Sequence, residues 1–225
     1  IHSTAVPADS KLIAPACPAK AIFDECMEMV EHYFTWEQAD PVIVSLLREL
    51  IDEIAKLPLS EVSTAPKCMV NTEVNSGNFL INDSGKSYLI DWEKPLLSEP
   101  AQDLGHFLVP TTTFWKTDVI LTPEEIREFV AHYEKAINGR MDTSSLQERL
   151  PLFFTVTCLR GVTWCAMALR EYSQPDRPLN NPDTFAKIKD YINEGKIDAA
   201  LTLCQNTDTP YARMIGKGIS RLGRP

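Results

Sequence analysis

Three side chains that can handle protons or metal ions lie close together in the first half of the chain. Glu73 and Asn78 lie in one polar loop, and Asp91 follows a short apolar run. Turn-forming residues separate that run from the apolar residues after Asn78, so the two runs are expected to pair as a β-hairpin with the three side chains at one edge. Phosphoryl transfer from ATP uses such a set of groups, because a carboxylate orients the attacking hydroxyl and oxygen ligands hold Mg²⁺ against the phosphates.

The same stretch resembles the catalytic and metal-binding loops of the aminoglycoside phosphotransferase and choline kinase-like family. That family has His-Gly-Asp, four further residues and Asn, followed by an apolar strand, a turn, and Ile-Asp-Trp or Ile-Asp-Phe. Here residues 71–73 read Asn-Thr-Glu, Asn78 matches the metal-ligand asparagine, and residues 90–93 read Ile-Asp-Trp-Glu. Downstream, residues 100–105 resemble the family's Pro-x-x-Asp-Leu-Gly/Ala motif, in which the aspartate, here Asp103, braces the catalytic loop.

The resemblance implies a role for each matching residue and two cofactors, ATP and Mg²⁺. Glu73 would orient or deprotonate the acceptor hydroxyl, Asn78 and Asp91 would hold the metal, and Asn71 and Asp103 would support the loop. Glutamate has the charge of the family's aspartate but is one methylene longer. Because catalytic geometry tolerates only about 0.5 Å of misplacement, the sequence leaves open whether Glu73 catalyses.

Candidates for contacting the acceptor lie just beyond the second motif. Trp92, Glu93 and Glu99 are aromatic or acidic, and such side chains favour cationic ligands, so a cationic hydroxyl acceptor is one candidate. Aminoglycosides, choline, sugars and amino alcohols all stay open, since family likeness indicates reaction class better than substrate. Trp115 is a further pocket candidate, whereas Trp164, on an apolar helix, is expected to pack in the core.

Two readings without catalysis also stay open. One is a catalytically silent kinase-like module that holds a ligand or partner after losing the aspartate. The other is a helical protein with a plain β-hairpin, in which residues 75–78 are turn formers and Asp91 caps a loop.

Composition limits the possible partners and the compartment. The 225 residues carry a net charge of −9 and are 44% hydrophobic, which is typical of a globular protein. The negative charge argues against binding to nucleic acid, a polyanion. No apolar run is evident with the length of roughly 20 residues that a membrane-spanning helix needs. The six cysteines do not have the spacing of metal ligands. The sequence therefore predicts a cytoplasmic protein whose partner is neither a membrane nor nucleic acid.

The elements that would position the motif are mostly helical. We predict an α+β fold that corresponds to the C-terminal lobe of a protein-kinase-like structure, spanning residues 1–225. Residues 1–19 form a connector, 20–58 the central helices, 67–93 the catalytic and metal-binding hairpin, 100–205 a helical substrate subdomain, and 206–225 a basic, solvated tail. A Gly-rich strand pair and a strand lysine do not precede the motif, so an N-terminal nucleotide-binding lobe is expected in the full-length protein.

Local patterns predict individual elements. Asp40-Pro41 begins a helix, and Thr122-Pro123-Glu124-Glu125 is a capping box. Residues 144–172 form either one long helix or a broken one that restarts at Pro151. The helix after Pro41 is expected to bury a stripe of six apolar residues: Ile43, Leu46, Leu47, Leu50, Ile54 and Leu57.

Overall fold

The computed structural model describes residues 1–173, 182–207 and 210–220. The fold is α+β and mostly helical, and it divides into two compact units, residues 1–166 and residues 167–225. Within the described residues the helices are α1 (Pro18–Phe34), α2 (Pro41–Ile54), α3 (Pro100–Leu108), α4 (Pro110–Lys116), α5 (Pro123–Ile137), α6 (Leu146–Tyr172), α7 (Pro182–Asn193), α8 (Ile197–Gln205) and α9 (Pro210–Ile219).

Two short antiparallel strand pairs frame the polar loop. β1 (Cys68–Val70) pairs with β4 (Leu96–Ser98), so that Cys68 lies opposite Ser98. β2 (Phe79–Leu80) pairs with β3 (Tyr88–Leu89), which confirms the predicted hairpin. β4 was not predicted, since its three residues lie in a short run with no turn signal of its own. The loops that carry Glu73 and Asp91 therefore each connect one strand pair to the other.

The core of the first unit forms where α1, α3 and α6 meet. Cys26 of α1, Leu104 of α3, and Phe153 and Val156 of α6 are all buried in it. Gly105 permits α3 to approach α6, because a Cβ atom at this position would lie only 3.2 Å from backbone and side-chain atoms of Phe153. This contact places the first turn of α3, which carries Asp103, beneath the polar loop.

The capping signals of α2 and α5 form as predicted. The Asp40 side chain accepts a hydrogen bond from the amide of Val42, and Thr122 and Glu125 form a reciprocal capping box. The buried stripe predicted for α2 is wrong in part. Only Leu47 and Ile54 are buried, because α2 packs through one narrow side. The remaining members of the stripe stay at least partly exposed: Ile43, Leu46, Leu50 and Leu57.

Helix α6 is continuous from Leu146 to Tyr172, which confirms the single long helix of the two alternatives. Pro151 lies in the second turn, where the helix forgoes one backbone hydrogen bond without breaking. By length and composition alone α6 could cross a membrane, which corrects the expectation that no such run exists. However, Phe153, Val156 and Leu159 belong to the core of the first unit, and core helices pass the same test.

The second unit packs α7, α8 and α9 around Ile188, Ala200, Cys204 and Ile219. Residues 206–225 were predicted as a solvated tail, but residues 210–219 form α9, whose buried Ile219 belongs to this core. The last five residues, 221–225, lie outside the described part of the chain.

Candidate functional site

The structure brings Glu73, Asn78 and Asp91 together at one edge of the hairpin. Carboxylate oxygens of Glu73, Asp91 and Glu93 all lie within 4.8 Å of one another. The side-chain amide of Asn78 donates to the carbonyl oxygen of Glu73 at 3.1 Å and lies 3.4 Å from Asp91 Oδ2. These residues can therefore act on the same ligand.

Asp103 holds the start of this loop through two backbone amides. Its Oδ2 accepts from the amide of Asn71 at 2.9 Å, and its Oδ1 accepts from the amide of Thr72 at 2.8 Å. Asp103 is buried and lies in the first turn of α3, where the helix dipole favours its negative charge. His2 Nε2 contacts Oδ2 at 3.0 Å, and His2 Nδ1 contacts the Tyr133 hydroxyl at 2.8 Å.

Two residues of the site adopt left-handed backbone conformations. Thr72 has φ 72° and Asp91 has φ 65°. Aspartate tolerates this region, but a β-branched threonine there is strained, at a cost of about 1–3 kcal/mol. The Thr72 hydroxyl donates to the carbonyl oxygen of Lys94 at 3.1 Å, and the Asp103 bond holds its amide. In the motif that residues 71–73 resemble, glycine stands at the position of Thr72, and glycine adopts this conformation without strain.

Asn71 links the two halves of the site. Its Nδ2 donates to the carbonyl oxygen of Asp91 at 2.7 Å, and its Oδ1 accepts from the amide of Glu73 at 3.1 Å. The Asn71 side chain itself is fully buried. Asn75 completes the turn, because Nδ2 donates to the Glu73 carbonyl and Oδ1 accepts from the amide of Gly77. Both asparagines thus shape the loop rather than contact a ligand.

Arg160 of α6 is a site residue that the sequence analysis missed. Its Nε and Nη2 atoms donate to the two carboxylate oxygens of Glu25 at 3.0 and 3.1 Å, and Nη2 lies 3.7 Å from Glu73 Oε1. An arginine inside an apolar helix was an available signal, since a buried charge needs partners. Its partners come from distant parts of the chain, which no local pattern indicates.

A cavity of about 610 Å³ opens beside the loop, inside the first unit. Thr72 and Glu93 line it on the hairpin side, and Arg160 lines it from α6. Glu93 thus lies at the cavity, and its contact with an acceptor stays a prediction.

Two of the remaining acidic or aromatic candidates, Glu99 and Trp164, lie elsewhere than expected. Glu99 is almost fully buried and forms a bidentate pair with Arg149 at 2.8 and 2.9 Å, so the structure does not bring it to the acceptor. The indole Nε1 of Trp92 donates to the carbonyl oxygen of Leu89 at 2.8 Å, so the polar atom of this side chain is hydrogen-bonded to the hairpin. Trp164 was predicted in the core but is 42% exposed, because Trp115 covers only part of it.

The donor set fits a small, hard divalent cation. Carboxylate and amide oxygens are the ligands that Mg²⁺ prefers. The structure brings the carboxylates of Glu73, Asp91 and Glu93 together, and Asn78 turns its side-chain nitrogen toward Glu73 and Asp91.

No protein-family model matches the chain, and no solved structure matches it. Any functional assignment therefore rests on the motif and on the geometry around it.

Proposed function

We propose that this chain is the C-terminal lobe of a protein-kinase-like phosphotransferase, which transfers the γ-phosphate of ATP to a hydroxyl of a small molecule. One observation supports this proposal above the others. Glu73, Asn78 and Asp91 converge at one edge, on a loop whose first amides are held by Asp103. A plain β-hairpin needs neither the buried aspartate nor the acidic cluster.

In the proposed reaction Glu73 orients the acceptor hydroxyl and accepts its proton. The hydroxyl oxygen forms a bond to the γ-phosphorus, the bond from that phosphorus to the β–γ bridging oxygen breaks, and ADP leaves. Asn78 and Asp91 would hold Mg²⁺, with Glu93 beside them. When bound, the ion neutralises negative charge on the phosphates.

The other residues keep the loop in place. Asp103 and Asn71 hold the backbone on either side of Thr72, so the Glu73 carboxylate leaves the loop in one direction. Such supporting bonds matter because catalytic groups must be held to about 0.5 Å. We propose a cytoplasmic location for this protein. All six cysteines are free thiols, as is usual in that reducing compartment.

A catalytically silent binding module is the second candidate, and the position of Arg160 favours it. Arg160 Nη2 lies 3.7 Å from Glu73 Oε1, so the carboxylate has a cationic partner before any acceptor arrives. A module of this kind would bind metal and ligand at the same residues without turnover.

A kinase assay on the full-length protein separates the two candidates. We expect Mg²⁺-dependent conversion of ATP to ADP with one or more members of a panel of small alcohols, abolished by Asp91→Asn and unchanged by Asp52→Asn on exposed α2. Binding of Mn²⁺, followed by electron paramagnetic resonance, should weaken in Asp91→Asn independently of turnover. Absence of turnover in both the wild type and Glu73→Asp, with Mn²⁺ still bound, would refute the enzyme and support the module.

A further inference from the structure

Three charged side chains from separate elements form a chain of contacts at the candidate site. Glu25 lies on α1, Arg160 on α6, and Glu73 in the polar loop. Arg160 donates from Nε and Nη2 to the two carboxylate oxygens of Glu25 at 3.0 and 3.1 Å. Its Nη2 atom also lies 3.7 Å from Glu73 Oε1, within ion-pair distance. Arg160 is therefore shared between a carboxylate on a core helix and the carboxylate to which we assign the proton transfer.

The contact with Glu25 fixes the orientation of the Arg160 guanidinium. This group is planar, so two parallel hydrogen bonds to one carboxylate define the direction of the whole plane. Nη2 carries two hydrogens, and one can bond to Glu25 while the other points toward Glu73. The Arg160 side chain is only 22% exposed, so packing also limits its movement. Arg160 thus holds a positive charge in a defined place beside the loop.

Glu73 lies beside two further carboxylates. One oxygen from each of Glu73, Asp91 and Glu93 lies within 4.8 Å of the other two, and like charges at that distance repel. Glutamate also has one more side-chain torsion than aspartate, so its carboxylate can turn in more directions. Arg160 attracts Glu73 Oε1 and opposes both effects.

The distance from Arg160 to the loop matches glutamate rather than aspartate. One methylene extends a side chain by about 1.5 Å, the length of a carbon–carbon bond. With aspartate at position 73, the carboxylate would lie about 5 Å from Arg160 Nη2, beyond the limit of about 4 Å for an ion pair. The motif that residues 71–73 resemble has aspartate at this position, so the contact depends on the departure from that motif.

We infer that Arg160 is the positioning residue for Glu73, and that Glu25 holds Arg160 in place for this role. The effect on turnover rests on the proposed function, but the pairing itself requires no catalysis. One consequence runs against the motif. Glu73→Asp, which introduces the residue of the motif, should impair the site because its carboxylate loses Arg160.

NMR of the guanidinium group tests the contacts in the full-length protein without turnover. The Arg160 signals are identified by their loss in Arg160→Lys. Glu25→Gln should make the Arg160 Nε–H exchange with water at least about tenfold faster, since it weakens a charge-assisted hydrogen bond. Glu73→Gln and Glu73→Asp should both shift the Arg160 guanidinium signals. The control, Glu28→Gln at an exposed residue of α1, should leave them in place. Unshifted signals in both folded Glu73 variants would refute the pairing.

Turnover provides the second test. A misplacement of about 1 Å can cost about a hundredfold in rate, so Glu73→Asp should lower kcat by about that factor and leave the KM for ATP nearly unchanged. Arg160→Gln should lower kcat similarly, and Arg160→Lys, which keeps the charge, should restore part of the loss. Arg127→Gln, at an exposed arginine of α5, is the control. Glu73→Asp that turns over as fast as the wild type would overturn the inference.

The two proposals can fail separately. Guanidinium signals that respond to Glu25 and Glu73, without any phosphoryl transfer, would refute the enzyme and leave the pairing standing. Phosphoryl transfer that is unaffected by Glu73→Asp and Arg160→Gln would do the reverse.

Discussion

Replacement of Asp103 by alanine tests how the polar loop of residues 71–78 is held. The Asp103 carboxylate is 4% exposed and accepts from the amides of Asn71 and Thr72 at 2.9 and 2.8 Å. It also contacts His2 Nε2 at 3.0 Å. Asp103→Ala removes all three contacts and leaves the two amides and the ring without an acceptor.

The expected cost follows from these contacts. A hydrogen bond to a charged group contributes about 1.5–3 kcal/mol, and a buried donor left unpaired loses its full desolvation energy. Two amide bonds therefore predict a loss of about 3–6 kcal/mol. Relaxation of Thr72 from its left-handed conformation offsets part of this, since the strain there is about 1–3 kcal/mol. We expect a net loss of about 2.5 kcal/mol, which lowers Tm by roughly 5–10 °C for a chain of this size.

Hydrogen exchange is the assay suited to a chain with two compact units, because it reports residues 1–166 separately. Peptides that contain residues 71–72 should lose protection in Asp103→Ala. Asp103→Asn retains one acceptor oxygen and should fall between the alanine variant and the wild type. The control is Asp52→Ala, at an exposed aspartate of α2. The role assigned to Asp103 would be refuted if Asp103→Ala lowered the free energy of unfolding by less than about 1 kcal/mol and residues 71–72 kept their protection from exchange.

Three further predictions concern pH, packing and thiol reactivity. Burial lowers the pKa of His106 in the folded protein. Below about pH 6.5 the unfolded chain therefore binds more protons than the folded chain, so the free energy of unfolding decreases as the pH is lowered. His106→Asn should therefore flatten the change in urea midpoint between about pH 7 and pH 5. Gly161→Ala should destabilise by about 1–3 kcal/mol in thermal melts, because its Cβ would lie 2.5 Å from Thr111 Cβ. Gly218→Ala, with nothing within 4 Å, should not destabilise. Burial raises the pKa of the Cys68 thiol to about 12, so iodoacetamide at about pH 8 should leave it unlabelled in native protein, as mass spectrometry would detect.

Local chemistry explains which elements could be predicted from the sequence. The caps at Asp40 and Thr122 depend on atoms within three residues, and the hairpin before Asp91 depends on the turn that connects its strands. The convergence of Glu73, Asn78 and Asp91 followed from that hairpin. Strand β4 was not predicted, because it pairs with β1, a strand that lies far from it in the sequence.

Burial could not be predicted where only one side of a helix finds a partner. The apolar stripe of α2 is periodic, yet Leu46 remains 60% exposed and Leu47 is buried. Trp164 has apolar neighbours in sequence, but its exposure depends on how far α4 extends over α6. Glu99 follows the Ile-Asp-Trp-Glu motif in sequence, but its carboxylate pairs with Arg149 because a buried charge needs a counterion.

The sequence by itself determined the chemical inventory of the site: a carboxylate in a polar loop, an asparagine and an aspartate across a hairpin, and an aspartate at a helix start. Tertiary structure alone decided what surrounds that inventory. It placed Arg160 beside Glu73 and directed Asp103 at two loop amides. The physical reason is that hydrogen bonds, ion pairs and burial depend on distances between atoms, and packing brings together residues that the chain separates by 30 or more positions.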